Sequence, residues 1–323
     1  MKKIVIFGGG SGLSQLLKGL KLFPVDVTAV VSVSDNGRST GRLRKDYNIP
    51  AVGDISKVLL SMSECDNEIR DLMNYRFTKS KTLGDHSIKN LLLTALLDLK
   101  GDFDSALPIL VRLLDIKGNV LPLTEDNVDL IGITSDGKKI VGEAQITKSK
   151  KHIERICYSD DITVNNKVIE AVKKADLIIF SCGSLFTSII PHLLNQKLNN
   201  AIKNSKAETL YICNLFTQPG ETDDFKVSDH VRLLEEYLGK NSIDIVVANN
   251  AKMNSYLVKK YQTEEQKDQI ILDIEELEKM NKKVIADKLY KIENNYYRHD
   301  ALKAAYVIFS YLMDGIKWHL QQD

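Results

Sequence analysis

The sequence has little proline, few cysteines and only one tryptophan. Six of its 323 residues are proline, which excludes a proline-rich linker. The four cysteines form no Cys-x-x-Cys pair and no zinc-ligand pattern. Cys182 and Cys213 each end an apolar run, so we interpret them as buried free thiols in a reducing cytoplasm.

An excess of one charge and a long hydrophobic run are also absent. Lys and Arg total 44 and Asp and Glu total 43, so no overall field attracts nucleic acid or an anionic membrane. No stretch approaches the roughly 18 apolar residues of a membrane-spanning helix. The apolar run at residues 4–7 is too short for a signal peptide. We therefore expect a cytoplasmic protein that neither binds nucleic acid nor inserts into a membrane.

The first 35 residues predict a βαβ unit. Residues 4–7 form an apolar, largely β-branched run that is typical of a strand buried on both faces. The glycine-rich segment 8–12 follows, and leucines at helical spacing then extend to Leu20. Residues 25–33 are a second apolar run. We therefore predict an α/β fold, with a Rossmann-like parallel sheet covered by helices.

The remaining sequence predicts one α/β domain over residues 1–323. Residues 54–115 have helical spacing, and short strands are expected at 177–181, 209–213 and 243–248. Helices are expected near 187–205, 228–238 and 300–318. We interpret 262–283 as solvated helix or loop. Residues 117–165 predict a small antiparallel β excursion or subdomain, with a hairpin of 131–134 and 140–146 around an Asp-Gly turn.

Five polar loops follow the five predicted strands. The carboxyl ends of parallel strands meet at one edge of a sheet, where ligands bind at the point of strand-order reversal. All five loops are rich in Gly, Ser, Thr, Asn and Asp, which predicts a ligand site at this edge. They are residues 8–12, 35–41, 182–187, 214–222 and 249–250.

The segment 8–12 (GGGSG) fits neither the Walker A pattern nor the dinucleotide fingerprint. Its glycines still allow the backbone to approach a phosphate, and the next helix offers free N–H groups. Anion binding is therefore favoured over a plain turn.

Three other features leave alternatives open. Asp35 could bind a ribose hydroxyl, hold Mg²⁺ or cap its own turn. The arginines at 38, 42 and 44 suit either phosphate contacts or a solvated face. Ser184 and Thr187 suit either helix capping or ligand contact. No catalytic triad or paired-carboxylate pattern is recognisable, so the residues alone specify no reaction.

Several motifs together resemble one family, which joins the bacterial gluconeogenesis factors to 2-phospho-L-lactate transferase. The resemblance runs in order from residue 3 to about 315. Its motifs are residues 8–14 (GGGSGLS), 34–44 (SDNGRSTGRLR), 53–55 (GDI), 183–188 (GSLFTS), 214–222 (NLFTQPGET), 229–230 (DH) and 298–300 (RHD).

The resemblance implies a Rossmann-like dimer. In the transferase branch, a guanylyl-activated lactyl group is moved to a deazaflavin precursor with Mg²⁺. In the gluconeogenesis-factor branch, which residues 217–222 (TQPGET) favour, the proteins are linked to cell shape, cell-wall synthesis on gluconeogenic carbon sources and binding of UDP-sugars such as UDP-N-acetylglucosamine.

The resemblance also implies site residues. Asp35 matches the first acid of the family's metal-binding stretch, but Asn36 replaces the second, which weighs against Mg²⁺ and transferase chemistry. The loops and the resemblance together give the candidate ligand-binding residues Gly8, Gly9, Gly10, Ser11, Gly12, Asp35, Asn36, Gly37, Ser39, Gly183, Ser184, Thr187, Asn214, Thr217, Gln218, Gly220, Glu221, Thr222, Asn249, Arg298 and His299.

Three functions compete. The first is a non-catalytic or weakly catalytic regulator that binds a nucleotide sugar. The second is a Mg²⁺-dependent transferase that uses a nucleotide-activated phospho-acid. The third is an NAD-type oxidoreductase, which Asp35 favours but the broken glycine fingerprint disfavours. The regulator is the preferred hypothesis.

Overall fold

The core of the fold is a seven-stranded parallel sheet. A computed structural model describes residues 1–314. Within them, the strand order is β10-β9-β8-β7-β1-β2-β3, and every pair is parallel. The strands are β1 (Lys2–Gly8), β2 (Val25–Val31), β3 (Asn119–Pro122), β4 (Leu130–Thr134), β5 (Lys139–Val141), β6 (Ile153–Tyr158), β7 (Leu177–Phe180), β8 (Glu208–Ile212), β9 (Ile245–Asn249), β10 (Lys283–Asp287), β11 (Tyr290–Glu293) and β12 (Tyr296–His299).

Helices cover both faces of the sheet. Short π-helices occupy Leu185–Ile189 and Tyr261–Glu265. No helix within residues 1–314 is long and apolar enough to cross a membrane. The α-helices are α1 (Gly10–Leu20), α2 (Arg38–Tyr47), α3 (Val52–Met62), α4 (Asn67–Asn74), α5 (Ile88–Lys100), α6 (Phe103–Leu113), α7 (Glu143–Ser149), α8 (Asn166–Lys174), α9 (Ile190–Leu193), α10 (Gln196–Lys203), α11 (Val227–Leu238), α12 (Ser255–Lys260), α13 (Ile274–Lys279) and α14 (Ala301–Asp314).

Two hydrophobic cores lie on opposite faces of the sheet. Ile4 and Ile6 of β1 belong to the core under α1, α3 and α14, whereas Val5 and Phe7 belong to the core under α8 and α11. Alternate side chains of a strand point to opposite faces, so both faces of β1 are apolar because both are covered. This explains the unbroken apolar run in the sequence.

The five predicted strands are confirmed as β1, β2, β7, β8 and β9. The sheet also contains two strands that the prediction lacks, β3 and β10, one at each edge. The predicted excursion at 117–165 is correct for β4, β5 and β6, which form a separate antiparallel sheet. It is wrong for β3, which pairs in parallel with β2.

Two further segments differ from the sequence prediction, and the C-terminal helix agrees with it over the described residues. The expected strand 140–146 ends at Val141, and α7 begins at Glu143. The side chain of Asn36 accepts the N–H of Ala144 at 3.0 Å, so a distant residue caps this helix. The segment 262–283 holds a π-helix, α13 and the start of β10. The C-terminal helix is observed from Ala301 to Asp314, and the predicted residues 315–318 lie outside the described part.

The strand order reverses beside β1. From β1 the chain first adds β2 and β3 on one side, and it later returns to the other side with β7, β8, β9 and β10. Gly8 ends β1 and Ser181 follows β7, and these two residues touch across the reversal. A parallel sheet forms a crevice at such a point, beyond the carboxyl ends of its strands.

Candidate functional site

The glycine loop (residues 8–12) lies at the strand-order reversal and leads directly into α1. Gly9 precedes the helix with extended backbone and has no side chain to cap the first turn, while the backbone N–H of Gly10 is hydrogen-bonded to the Asp54 carboxyl group. Gly10 has a φ of +55°, a left-handed conformation that most side chains disfavour. The remaining free N–H groups and the positive end of the helix dipole are therefore available to an anion.

Gly12 fits closely against the loop after β7. A Cβ atom at this position would lie 2.6 Å from the carbonyl oxygen of Cys182 and 2.8 Å from the backbone nitrogen of Gly183. Neither backbone atom can move away as a flexible side chain could. The two loops therefore approach closely only because residue 12 is glycine.

A cavity that we call the aromatic cavity opens beside the glycine loop. Its volume is about 400–500 Å³, which lies within the usual range of ligand clefts. Its far wall carries Phe216, Tyr261, Tyr296, Tyr297 and Arg298. The predicted residues that line it are Gly9, Ser11, Gly12, Gly183, Ser184, Asn214, Thr217, Gln218 and Arg298.

The aromatic wall is ordered by stacking and hydrogen bonds. The rings of Phe216 and Tyr261 stack with centroids 4.2 Å apart and 12° between their planes. The Tyr261 hydroxyl accepts the backbone N–H of Tyr297 at 2.9 Å. The Arg298 guanidinium lies 5.4 Å from the centre of the Tyr296 ring, within cation–π range. The wall therefore presents flat apolar surface next to a positive charge.

The loop 214–222 is held against the other loops by polar contacts. The Asn214 amide donates to the carbonyl of Gly183 at 2.9 Å. The Ser184 hydroxyl donates to Glu221 at 2.5 Å and accepts from the Thr187 hydroxyl at 2.8 Å. Burial raises the pKa of Glu221 to about 7, although the Ser184 hydroxyl favours the ionised form. Thr187 and Glu221 thus fix the loops rather than line the cavity.

Three carboxyl groups lie behind the glycine loop. Burial, and then the neighbouring Asp35 carboxylate, raise the pKa of Asp54 above its usual range. Burial also raises the pKa of Glu143, and Asp35 and Asp54 raise it further. A phosphate at the glycine loop would add more negative charge here. Protons or a cation must then neutralise part of this cluster.

The carboxyl cluster does not fit a preformed Mg²⁺ site. Glu143 is hydrogen-bonded to Asp35, and one oxygen of Asp35 accepts the N–H of Gly37 at 2.7 Å. Within residues 1–314, no group of three His, Cys, Asp or Glu side chains is placed to hold a metal ion. The carboxylate of Asp35, the predicted metal ligand, therefore forms its hydrogen bonds with the protein's own groups.

A second cavity lies beside Asp35 and Asp54. Among the predicted residues it is lined by Asp35, Gly37 and Ser39. The Ser39 hydroxyl is buried and lies 2.8 Å from Nδ1 of His86, with the Asn90 amide 3.4 Å away. Ser39 thus belongs to a buried polar network that connects α2 with α5.

Several predicted residues have their polar atoms occupied elsewhere. The Asn36 side chain caps α7, and the Asn249 amide bonds the backbone of Ala251 and Leu289. Gly220 has a φ of +80° and its carbonyl accepts the N–H of Ile153. The predicted residues that line neither cavity are Gly8, Gly10, Asn36, Thr187, Gly220, Glu221, Thr222, Asn249 and His299.

Sequence reasoning did not identify the aromatic wall. Phe216 lies within a predicted loop, but Tyr261, Tyr296 and Tyr297 lie in segments with no recognised pattern. The pair Tyr296-Tyr297 directly precedes Arg298, which the resemblance did include. Adjacent tyrosines beside a candidate arginine were the one available signal.

The fold and the site together define the class of this protein. It is a Rossmann-like α/β protein, and the glycine loop at its strand-order reversal is of the type that binds anions. The cavity beside that loop combines an aromatic wall, an arginine and hydrogen-bonding groups from three other loops. Clefts that bind small molecules commonly combine aromatic surface with a few well-placed polar groups in this way.

Comparisons with known proteins agree with that class. The family model described as 2-phospho-L-lactate transferase CofD matches residues 4–290. The gluconeogenesis factor of Bacillus subtilis (strain 168) is 40% identical over 316 residues, which cover 98% of each chain. The gluconeogenesis factor of Halalkalibacterium halodurans is 37% identical over 308 residues, or 95% of each chain.

A solved structure is similar along nearly the whole chain. The crystal structure of a protein from Bacillus halodurans has a TM-score of 0.92 and 37% sequence identity, and the match covers 95% of this chain and 99% of that one. The protein described here therefore belongs to the CofD family, as its motifs predict, and matches relatives that are named gluconeogenesis factors.

Proposed function

We propose that the protein is a cytoplasmic regulator that binds a nucleotide sugar of the UDP-N-acetylglucosamine type. In this proposal it acts as a homodimer and supports cell shape and cell-wall synthesis on gluconeogenic carbon sources. The observation that carries the binding proposal is the aromatic cavity, where stacked rings and Arg298 face the glycine loop.

Each part of such a ligand has a matching chemical environment. The diphosphate suits the N–H groups at the start of α1 and the charge of Arg298. The uracil ring suits the part of the aromatic wall formed by Phe216 and Tyr296, whose rings are not buried, because a base stacks on any flat aromatic side chain. The sugar hydroxyls suit Asn214, Thr217 and Gln218, which line the same cavity.

A Mg²⁺-dependent transferase is the second candidate. The observation that favours it is the transferase family model, which matches residues 4–290, although the carboxyl cluster of Asp35, Asp54 and Glu143 would have to rearrange to hold the metal. The transferase hypothesis requires that nucleotide binding depends on the metal, whereas the regulator hypothesis does not.

A thermal-unfolding series tests the proposal. A ligand that binds only the folded state stabilises it by about 2.7 kcal/mol at a hundredfold excess over its dissociation constant. We expect UDP-N-acetylglucosamine to raise the melting temperature with or without EDTA, and NAD to leave it unchanged. A shift with NAD alone would contradict the proposal, and a shift with GDP that EDTA removes would favour the transferase.

A further inference from the structure

A further cavity lies between α1, α3, α4 and α5, and it shares Ser11 and Arg298 with the aromatic cavity. We call it the cationic cavity. It is lined by positively charged and neutral side chains and by no carboxylate among residues 1–314. The residues that matter here are Ser14, Lys18, Lys57, Arg70, Lys89 and Arg298.

Among the described residues, the cations of the cationic cavity form no ion pair, although Asp54 acts on Lys57 and Glu293 acts on Lys18 and Arg298 at longer range. Within the described part of the chain, no carboxylate lies within 4.0 Å of Lys18, Lys57, Lys89 or Arg298. Lys57 donates to the Ser11 hydroxyl at 2.5 Å, and Lys89 donates to the Asn74 amide oxygen at 2.5 Å. These neutral acceptors orient both ammonium groups without neutralising their charge, so the charge can still attract an anion.

Lys89 is partly buried among other positive charges, which disfavour its charged form until an anion binds. Burial lowers the pKa of Lys89 to about 8, and the charges of Lys57 and Arg76 lower it further. Arg70 donates to the carbonyls of Leu60 and Ser63, so it contributes charge rather than free donors. Holding several cations together costs free energy, which a bound anion recovers.

A neutral group in the same cavity also lacks a partner. The Ser14 hydroxyl is buried, with 5% of the residue exposed, and it has no hydrogen-bond partner among residues 1–314. Buried hydroxyls are normally hydrogen-bonded, so an unpaired hydroxyl in the lining of a cationic cavity indicates a missing acceptor.

We propose that the cationic cavity binds the phosphate group of a small phosphorylated metabolite, as a second ligand distinct from the nucleotide sugar. Lys57 and Lys89 contact the phosphate, and Lys18 and Ser14 complete its surroundings. Lys57 also touches Ser11 of the glycine loop, so the two sites are adjacent. This proposal does not depend on the identity of the ligand in the aromatic cavity.

The test is calorimetric titration with inorganic phosphate. We expect saturable binding to the wild-type protein and about tenfold weaker binding to Lys89→Gln and Lys57→Gln, because each loses a charged hydrogen bond. Lys100→Gln is the matched control, since Lys100 lies at the exposed end of the same helix, α5. Far-UV circular dichroism checks that each variant is folded.

Titration with UDP-N-acetylglucosamine separates the two ligands. We expect Lys89→Gln to bind it within about twofold of the wild type, and saturating phosphate not to displace it. Absence of saturable phosphate binding would overturn the second site. Competition between phosphate and the nucleotide sugar would show that the cationic cavity holds the nucleotide's own phosphates. If the wild type binds phosphate but no nucleotide sugar, the proposed function fails and the second site stands.

Discussion

Tyr261 joins the two halves of the aromatic wall, because its ring stacks on Phe216 and its hydroxyl accepts the N–H of Tyr297. Tyr261 is only 6% exposed, so Tyr261→Leu removes the buried ring that supports Phe216, against which we expect the uracil ring to stack. The loss of one base–aromatic contact costs about 1–3 kcal/mol, so the affinity for UDP-N-acetylglucosamine should fall about tenfold or more.

The calorimetric comparison needs a control variant in which a tyrosine outside the aromatic cavity is replaced. Tyr256 is 78% exposed on the neighbouring helix α12 and does not line the aromatic cavity. Tyr256→Leu should leave the affinity unchanged. Equal affinities in all three proteins would show that the base does not lie on this wall.

Asp35 distinguishes the two proposed functions. Its carboxylate accepts the N–H of Gly37 and lies at the rim of the second cavity. Asp35→Ala should weaken binding of UDP-N-acetylglucosamine by on the order of 1–3 kcal/mol, because the half-buried carboxylate no longer holds its own loop at Gly37. The wild-type affinity should change little when EDTA is added. Loss of wild-type binding in EDTA would move the conclusion to the metal-dependent transferase.

The raised pKa of Glu221 predicts that the stability of the folded protein depends on pH. Its pKa is about 7 in the folded protein, against an ordinary value of 4.5. Between these values the folded state binds more protons than the unfolded chain, so stability decreases as the pH rises through this window. Glu221→Gln cannot ionise and should be more stable than the wild type at pH 8, by on the order of 3 kcal/mol.

Urea unfolding at pH 5 and pH 8 measures this difference. The advantage of Glu221→Gln should be small at pH 5 and reach its full size at pH 8. Glu236→Gln, an exposed change on α11, is the control and should have the same effect at both pH values. An advantage that does not grow between pH 5 and pH 8 would contradict the assigned pKa.

Between elements, the contact of α1 with the loop after β7 depends on Gly12. Gly12→Ala places a methyl group against the Cys182 carbonyl, and the two loops must separate. Overpacking of this kind costs about 1–3 kcal/mol, and we expect weaker ligand binding as well. Gly101→Ala meets no atom within 4 Å but is strained by its φ of +89°, so it should lose only stability. Thermal unfolding and calorimetry of both variants make the comparison.

Elements with strong local patterns were predictable from the sequence, and elements defined by distant contacts were not. The central strands are apolar on both faces, which makes their runs continuous. The edge strands β3 and β10 are partly exposed, so their apolar runs are broken, and β3 ends in Pro122, which only an edge position tolerates readily. The start of α7 depends on Asn36, more than 100 residues away in the sequence.

For the whole molecule, we predict a homodimer whose interface lies away from the edge that holds the five loops. The prediction rests on the family resemblance, and it leaves both sites of the dimer open to ligand. Light scattering at micromolar concentration should give about twice the mass of the 36.3 kDa chain. A monomer under these conditions would contradict the prediction.

The site as a whole was only partly predictable. The glycine loop, Asp35 and the loops at 182–187 and 214–222 are recognisable because parallel strands bring their carboxyl ends together. The tyrosines of the aromatic wall come from the β11–β12 hairpin and the preceding π-helix, which lie outside that rule. The cationic cavity draws on helices α3 to α5, whose charged residues look like ordinary solvated positions in the sequence.

Helices α1 and α14 pack directly together, since a Cβ atom at Gly19 of α1 would collide with the carbonyl of Ala301 in α14. Arg298, near the end of the described chain, also faces Ser11 near its beginning. A nascent chain that has completed β1 and α1 therefore has a phosphate loop without an opposite wall. Recognition of the ligand begins only when synthesis has passed β12. Prematurely terminated products can carry the glycine loop, but they cannot compete with finished molecules for the ligand.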